Sequence, residues 1–300
     1  NRLTGSAPSG PSVNFHVDRF PPVSVTTRPA SAFLNGLVTP VAGTADDQSA
    51  SPTPGVGNKV VQLKLMRLDN NNSRNWWDGL SWVGADQGYN LPTSLGVGDW
   101  QSQSASLPAS AFAQGYRYEA VARGEDLLDN GEVAGATISF IVDRGTPTLT
   151  LSVPDSLTVY VSTGRLRFSS GVFVEPFFGG NVVSSVSVVE VRVEDVSAGP
   201  HTIPGGNSWW NGAGAFWHAG PDNSTAVVHQ SSFTYGGLPL DWTRGFECGT
   251  TCADGRRYML RYRAIDNAGN QGTFPSTLTR EVSVTFDGTS PRSYIQVPAV

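Results

Sequence analysis

One pattern occurs three times in this chain, and its spacing constrains the fold more than any other feature. Phe15-His-Val-Asp18, Phe140-Ile-Val-Asp143 and Val284-Thr-Phe-Asp287 each lead within four residues to proline: Pro21 and Pro22, Pro147, and Pro291. A further proline stands eleven residues after each aspartate, at Pro29, Pro154 and Pro298. Residues before the aspartates alternate apolar and polar (Val13, Phe15, Val17; Ile138, Phe140, Val142; Val282, Val284, Phe286), the period of a half-buried strand. The alternation resumes after them at Val23 and Val25, and at Leu149, Leu151 and Val153; it is less clean at Tyr294, Ile295 and Val297. Proline donates no ladder hydrogen bond, so a proline turn between two such strands reads as the joint between one domain's last strand and the next domain's first.

The joints therefore set the domain count. From Asp18 to Asp143 is 125 residues and from Asp143 to Asp287 is 144, each enough for one sandwich with a long loop or two. The reading predicts the last strand of an upstream repeat over 1–20, complete domains over 21–145 and 146–288, and the first strand of a downstream repeat over 289–300. The strand around Phe15 is then expected to pair with residues outside this chain. The terminal strands at Phe15 and Tyr294 are the expected contacts with neighbouring repeats or with copies of the same chain, because unpaired strand edges template strand addition.

Other elements recur in order between the joints. Asn75-Trp-Trp-Asp-Gly-Leu-Ser-Trp82 has its counterpart in Asn207-Ser-Trp-Trp-Asn-Gly-Ala-Gly-Ala-Phe-Trp217. Leu107-Pro108 and Leu238-Pro239 follow, then the tyrosine-rich strands Tyr116-Arg-Tyr-Glu-Ala-Val-Ala122 and Tyr258-Met-Leu-Arg-Tyr-Arg-Ala264. With 34 Gly, 20 Pro and 15% charged residues, the chain suits short strands joined by frequent turns.

In this order, with Gly43-Thr-Ala-Asp-Asp47, Asp266-Asn-Ala-Gly-Asn270 and the Phe-x-Val-Asp joints, the chain resembles the immunoglobulin-like tandem repeats of large secreted and surface proteins of bacteria. The resemblance covers essentially the whole chain. It implies an all-β fold of tandem immunoglobulin-like β-sandwiches in an elongated array, with an extracellular role as adhesive module or as the scaffold of a rod, stalk or filament. Two departures stand out: Ser170-Gly-Val-Phe-Val174 replaces Gly-Thr-Ala-Asp-Asp in the second copy, and Gly124-Glu-Asp-Leu-Leu-Asp-Asn-Gly131 replaces Asp-Asn-Ala-Gly-Asn in the first. A site built from those positions is expected not to be shared by both copies.

Two groups of residues carry candidate chemistry. Asp46 with Asp47, and Asp266 with Asn267 and Asn270, are oxygen-rich and loop-borne, as Ca²⁺ prefers, and the joint residues Asp143 and Asp287 belong with them. The alternative is that these side chains shape turns by bonding their own backbone, and that the joint aspartates cap the turn. Trp76, Trp77, Trp82, Trp209, Trp210 and Trp217 form the second group. Neighbouring strand residues face opposite ways, so one tryptophan of each pair is expected in the core, with a tight turn at positive φ at Gly79 or Gly212. Stacking on a glycan is the alternative for these rings. Cys248 and Cys252, in Cys-Gly-Thr-Thr-Cys, are expected to close a small disulfide loop, with free thiols and a metal site as the other readings.

Several functions are disfavoured. A net charge of −5, with only Lys59 and Lys64 as lysines, offers no basic face for nucleic acid. No apolar run approaches the roughly 20 residues of a membrane span. His16, His201, His218 and His229 are scattered without metal or catalytic spacing, so no enzyme is expected.

Overall fold

The computed structural model describes residues 17–36, 38, 40–47, 55–155, 158–161, 166–196, 208–214, 216–239, 255–274, 279–287 and 293. The strand around Phe15, the Cys248/Cys252 loop, Pro298 and the Tyr294 strand lie outside the described residues. Two compact units result, one from Asn1–Ala32 with Leu37–Phe140 and the other from Phe33–Gly36 with Ile141–Val300.

The strands of the first half are β1 (Val23–Arg28), β2 (Phe33–Leu34), β3 (Ala42–Asp46), β4 (Asn58–Leu68), β5 (Arg74–Trp77), β6 (Trp82–Val83), β7 (Leu91–Leu95), β8 (Asp99–Ser102), β9 (Tyr116–Asp126) and β10 (Thr137–Val142). Those of the second are β11 (Thr148–Val153), β12 (Thr158–Val161), β13 (Ser169–Val174), β14 (Val186–Asp195), β15 (Ser208–Asn211), β16 (Phe216–Ala219), β17 (Ser224–Thr225), β18 (Val227–Val228), β19 (Ser232–Tyr235), β20 (Arg257–Asp266) and β21 (Arg280–Phe286). Among the described residues the one helical element is a 3₁₀ turn at Ala109–Ala111, and no helix is long and apolar enough to cross a membrane.

In the second unit β11-β13-β19-β18 form one sheet and β12-β21-β20-β14-β15-β16 the other. β11, β13, β19 and β18 thus stand where an immunoglobulin sandwich has strands A, B, E and D, and β14, β20 and β21 where it has C, F and G. Its core lies between the sheets, where Leu149, Phe173 and Phe233 meet Val189, Val191, Tyr258, Leu260 and Val282. The first unit repeats the order as β1-β3-β8-β7 and β4-β9-β10, but β7 also pairs with β4 through Leu91↔Leu63, which runs the two halves into one path.

A close backbone approach fixes how β1 pairs with β3 and β11 with β13. A Cβ at Gly43 would stand 1.8 Å from the Val25 carbonyl oxygen, and one at Gly171 would stand 2.3 Å from that of Thr150. Each glycine also lies under an aromatic cross-strand partner, Trp100 and Phe233 respectively.

β1 differs from the sequence expectation. Val23 and Val25 face outward, and the buried positions are Ser24 and Thr26, where β11 has Leu149 and Leu151. The physical reason is Glu132: its carboxylate accepts from the Ser24 backbone N–H at 3.2 Å and the Gly124 N–H at 3.0 Å, and also from the Ser24 hydroxyl. A polar anchor thus replaces an apolar one on that strand.

The tryptophan pairs divide between core and surface. Trp77 and Trp210 are buried, while Trp76 and Trp209 are half-buried, as are Trp82 and Tyr116. The buried indoles do the same work in both units, donating to the carbonyl just before a Leu-Pro pair: Trp77 to Ser106 at 2.8 Å and Trp210 to Gly237 at 2.7 Å. Of the two turn glycines, Gly79 has φ +104°, but Gly212 is not left-handed. Glycine is needed at 212 for space, since a Cβ there would meet the Tyr235 hydroxyl at 1.9 Å.

Candidate metal centres at matched carboxylates

Three strand ends of each unit bring carboxylates together. In the first unit they belong to Asp18, which precedes β1, Asp47, the residue after β3, and Asp126, the last residue of β9; one oxygen of each lies within 4.8 Å of the others. In the second unit Asp143, Glu175 and Asp266 meet the same criterion, from the same places before β11, after β13 and at the end of β20.

The loop that follows the third carboxylate is held alike in both. Asp126 Oδ1 accepts from the Asn130 N–H at 2.8 Å and its Oδ2 from Asn130 Nδ2 at 2.7 Å. Asp266 receives the same two bonds from Asn270, each at 2.8 Å. The asparagine amide then reaches the first residue of its cluster, donating to the Asp18 carbonyl at 3.2 Å in one unit and the Asp143 carbonyl at 2.9 Å in the other.

These matches correct the expectation that the site is not shared. Gly171 to Glu175 occupies the place of Gly43 to Asp47, and Asp126 to Asn130 that of Asp266 to Asn270. Ser170–Val174 lies one residue out of register with Gly43–Asp47, and the counterpart of Asp47 is a glutamate, not an aspartate. Of the residues singled out by sequence, Asp47, Asp143 and Asp266 join clusters; Asp18, Asp126 and Glu175 were missed as ligand candidates. The signal available was the Gly-x-x-x-acid spacing together with Asp-x-x-x-Asn. Asp46 projects to solvent. Asn267 donates its amide to the Ser184 carbonyl at 2.6 Å, Asn270 is spent on the loop, and Asp287 lies in neither cluster.

The carboxylates are only partly satisfied. Asp18 takes the Phe20 and Val56 N–H groups at 3.0 and 3.2 Å, and Asp143 takes those of Gly145 and Ser184 at 3.0 and 2.7 Å. Asp47 Oδ1 and both oxygens of Glu175 are buried with no hydrogen-bond partner. Burial, with Asp266 and Asp143 beside it, pushes the Glu175 carboxyl up to about 8. Burial also raises Asp266, against the bonds from Asn270, and raises Asp47, with Asp18 and Asp126 adding to the effect. Asp126 is held below its ordinary value: burial opposes this, but the three bonds from Asn130 and Leu128 outweigh it. The donors are all oxygen, which suits a hard cation of the Ca²⁺ class and not a thiolate- or imidazole-seeking one.

No family model and no curated protein matches the chain. Solved structures do. A tetra-tandem repeat from the extending region of a large adhesion protein is 16% identical with a TM-score of 0.32, covering 90% of this chain; the chain spans half of that structure's length. The fibronectin(III)-like modules of Clostridium thermocellum CbhA are 11% identical with a TM-score of 0.31 over 91% of this chain and all of theirs. Three N-terminal domains of the bacteriophage RB49 outer capsid protein Hoc are 11% identical with a TM-score of 0.35, over 90% of this chain and 71% of theirs.

Proposed function

We propose that these units are non-catalytic repeats of a secreted or surface-exposed protein, serving as structural or adhesive modules of a rod, stalk or filament. A Ca²⁺-class cation binds Asp18, Asp47 and Asp126 in one repeat and Asp143, Glu175 and Asp266 in the next. The observation that carries this reading is the recurrence of three carboxylates on matched strand ends, with buried oxygens in each group that no protein donor satisfies. Like charges held this close repel, and a divalent ion turns that repulsion into a clamp on three chain segments. The cation would make each unit stiffer under load and resistant to unfolding outside the cell, where Ca²⁺ is abundant.

The glycan reading of the tryptophans is less well supported, because Trp77 and Trp210 bury their rings and spend their indole N–H groups on backbone carbonyls. The scaffold reading is tested by thermal unfolding of chelator-treated protein with and without added CaCl₂. A rise in Tm that Asp126→Asn with Asp266→Asn abolishes supports it, and an unchanged Tm refutes the cation clamp. Electron microscopy of the native material decides between stalk and filament.

A further inference from the structure

A cleft recurs at one place in both units. In the first it holds about 440 Å³ beside the cross-strand pair Ser94 and Gln101, and in the second about 360 Å³ beside the pair Val227 and Thr234. Strand register makes the two pairs equivalent: Gly43 faces Trp100 as Gly171 faces Phe233, and Gln101 and Thr234 are the next residues along. Each cleft runs on into the residues that lead to the Leu-Pro pair, so the fold itself opens it.

The linings differ. In the first unit the polar side chains are hydroxyls and carboxamides, among them Gln103 and Ser104. In the second, the turn after β15 and the segment around β17 bring Asn211, Asp222, Asn223 and Thr225 to the same cleft. All four reach solvent, Asn223 and Thr225 fully and Asn211 and Asp222 in part. Asn211 Oδ1 accepts from the Gly214 N–H at 2.6 Å, and Asn223 Oδ1 accepts from Arg192 Nε at 2.9 Å. Each carboxamide therefore has its oxygen engaged and turns its two N–H donors to a ligand.

The rest of the wall is held before any ligand arrives. The Ser224 hydroxyl accepts from the Gly212 N–H at 3.1 Å, and the Gly237 carbonyl takes both the Tyr235 hydroxyl at 3.1 Å and the Trp210 indole at 2.7 Å. Val227, 63% exposed, adds an apolar surface beside the polar groups.

These groups decide the ligand's chemistry. The Asp222 carboxylate repels an anion, and among the described lining residues it is the one carboxylate, too few oxygens of that kind to hold a divalent cation. Carboxamide donors beside an acceptor-only carboxylate call for ligand atoms that both donate and accept at neighbouring positions. Vicinal hydroxyls do this, and Val227 suits the C–H face of the ring that carries them. A volume of about 360 Å³ falls at the low end for small-molecule clefts, the size for one such ring.

We infer that the cleft between Asn211, Asp222 and Asn223 binds a neutral pyranose, with Asp222 accepting from two adjacent hydroxyls and the carboxamides donating to them. This site uses no tryptophan ring, and it stands apart from the carboxylate clusters and needs no cation there.

The test is an NMR titration of the isotope-labelled full chain with the methyl glycosides of D-glucose, D-galactose and D-mannose, followed through side-chain amide signals. At least one glycoside is expected to give saturable shifts of the Asn211 and Asn223 amides and of β18 and β19. Asp222→Asn should weaken that binding about tenfold or more with Tm unchanged. Asn223→Asp, which keeps the bond to Arg192 but replaces donors by an acceptor, should do the same. No shift with any of the three glycosides, or equal binding by both variants, would overturn the proposal. A stronger response to N-acetyl-lysine amide would overturn the sugar assignment in favour of an amine, and shifts at β7 and β8 instead would overturn the placement.

Discussion

Asp47 and Glu175 hold the same position in their units, each the first residue beyond the strand whose glycine, Gly43 or Gly171, lies against the opposing backbone. The longer side chain at 175 leaves both carboxylate oxygens buried and unpartnered, whereas one oxygen of Asp47 accepts from the Gly57 N–H. Removing either charge should weaken Ca²⁺ protection of its own unit only. In hydrogen exchange with Ca²⁺ present, Glu175→Gln is expected to lower protection of the β20 amides and spare those of β9, and Asp47→Asn to do the reverse. Equal loss in both units from either substitution contradicts separate sites.

The pH dependence without cation follows from Glu175. Its folded pKa, about 8, lies above its ordinary 4.5, so the folded state holds a proton that the unfolded chain releases. This contribution is fully present below about pH 4.5 and is lost as pH rises through about 8. Chelated protein should therefore become less stable between these limits, and Glu175→Gln should flatten that slope. Saturating Ca²⁺ should reverse it, since the bound ion favours the ionised carboxyl. Denaturant melts at several pH values read all three.

Space at the paired glycines gives a sharper stability test. Gly43→Ala places a methyl within 1.8 Å of the Val25 carbonyl oxygen, and Gly171→Ala within 2.3 Å of that of Thr150. Neither neighbour is a flexible side-chain end, so the first strand must move. Each change is expected to cost about 3 kcal/mol or more, measured by urea unfolding.

Trp77→Phe should cost about 1–3 kcal/mol, because it leaves the Ser106 carbonyl without its indole donor and opens space beside the Trp82 ring, 5.3 Å away. Trp76→Phe, at a half-buried position, should cost less than about 1 kcal/mol by the same measurement. Equal costs would mean that the buried indole bond contributes little.

The sandwich was legible because alternation and punctuation are local. Phe140 and Val142, or Val282 and Val284, announce their strands by themselves, and the prolines mark where ladders stop. The core-and-surface division of Trp76 and Trp77 follows from the two-residue period alone. The carboxylate clusters were only half legible, since their members lie far apart in sequence and meet only when strands pair. Asp266 and Asp47 drew notice from acidic or amide neighbours, but Glu175 stands alone in Val-Phe-Val-Glu-Pro and carries no local sign. Inward polar residues were illegible for a related reason: Ser24 is tolerated in the core only because Glu132, 108 positions along, reaches it.

The account rests most directly on cation binding. Isothermal titration of CaCl₂ into chelator-treated full-length chain is predicted to report two sites per chain, falling to one in Asp126→Asn and one in Asp266→Asn, and to none in the double variant. An absence of binding to the unsubstituted, folded chain, or a stoichiometry that neither substitution changes, would contradict it.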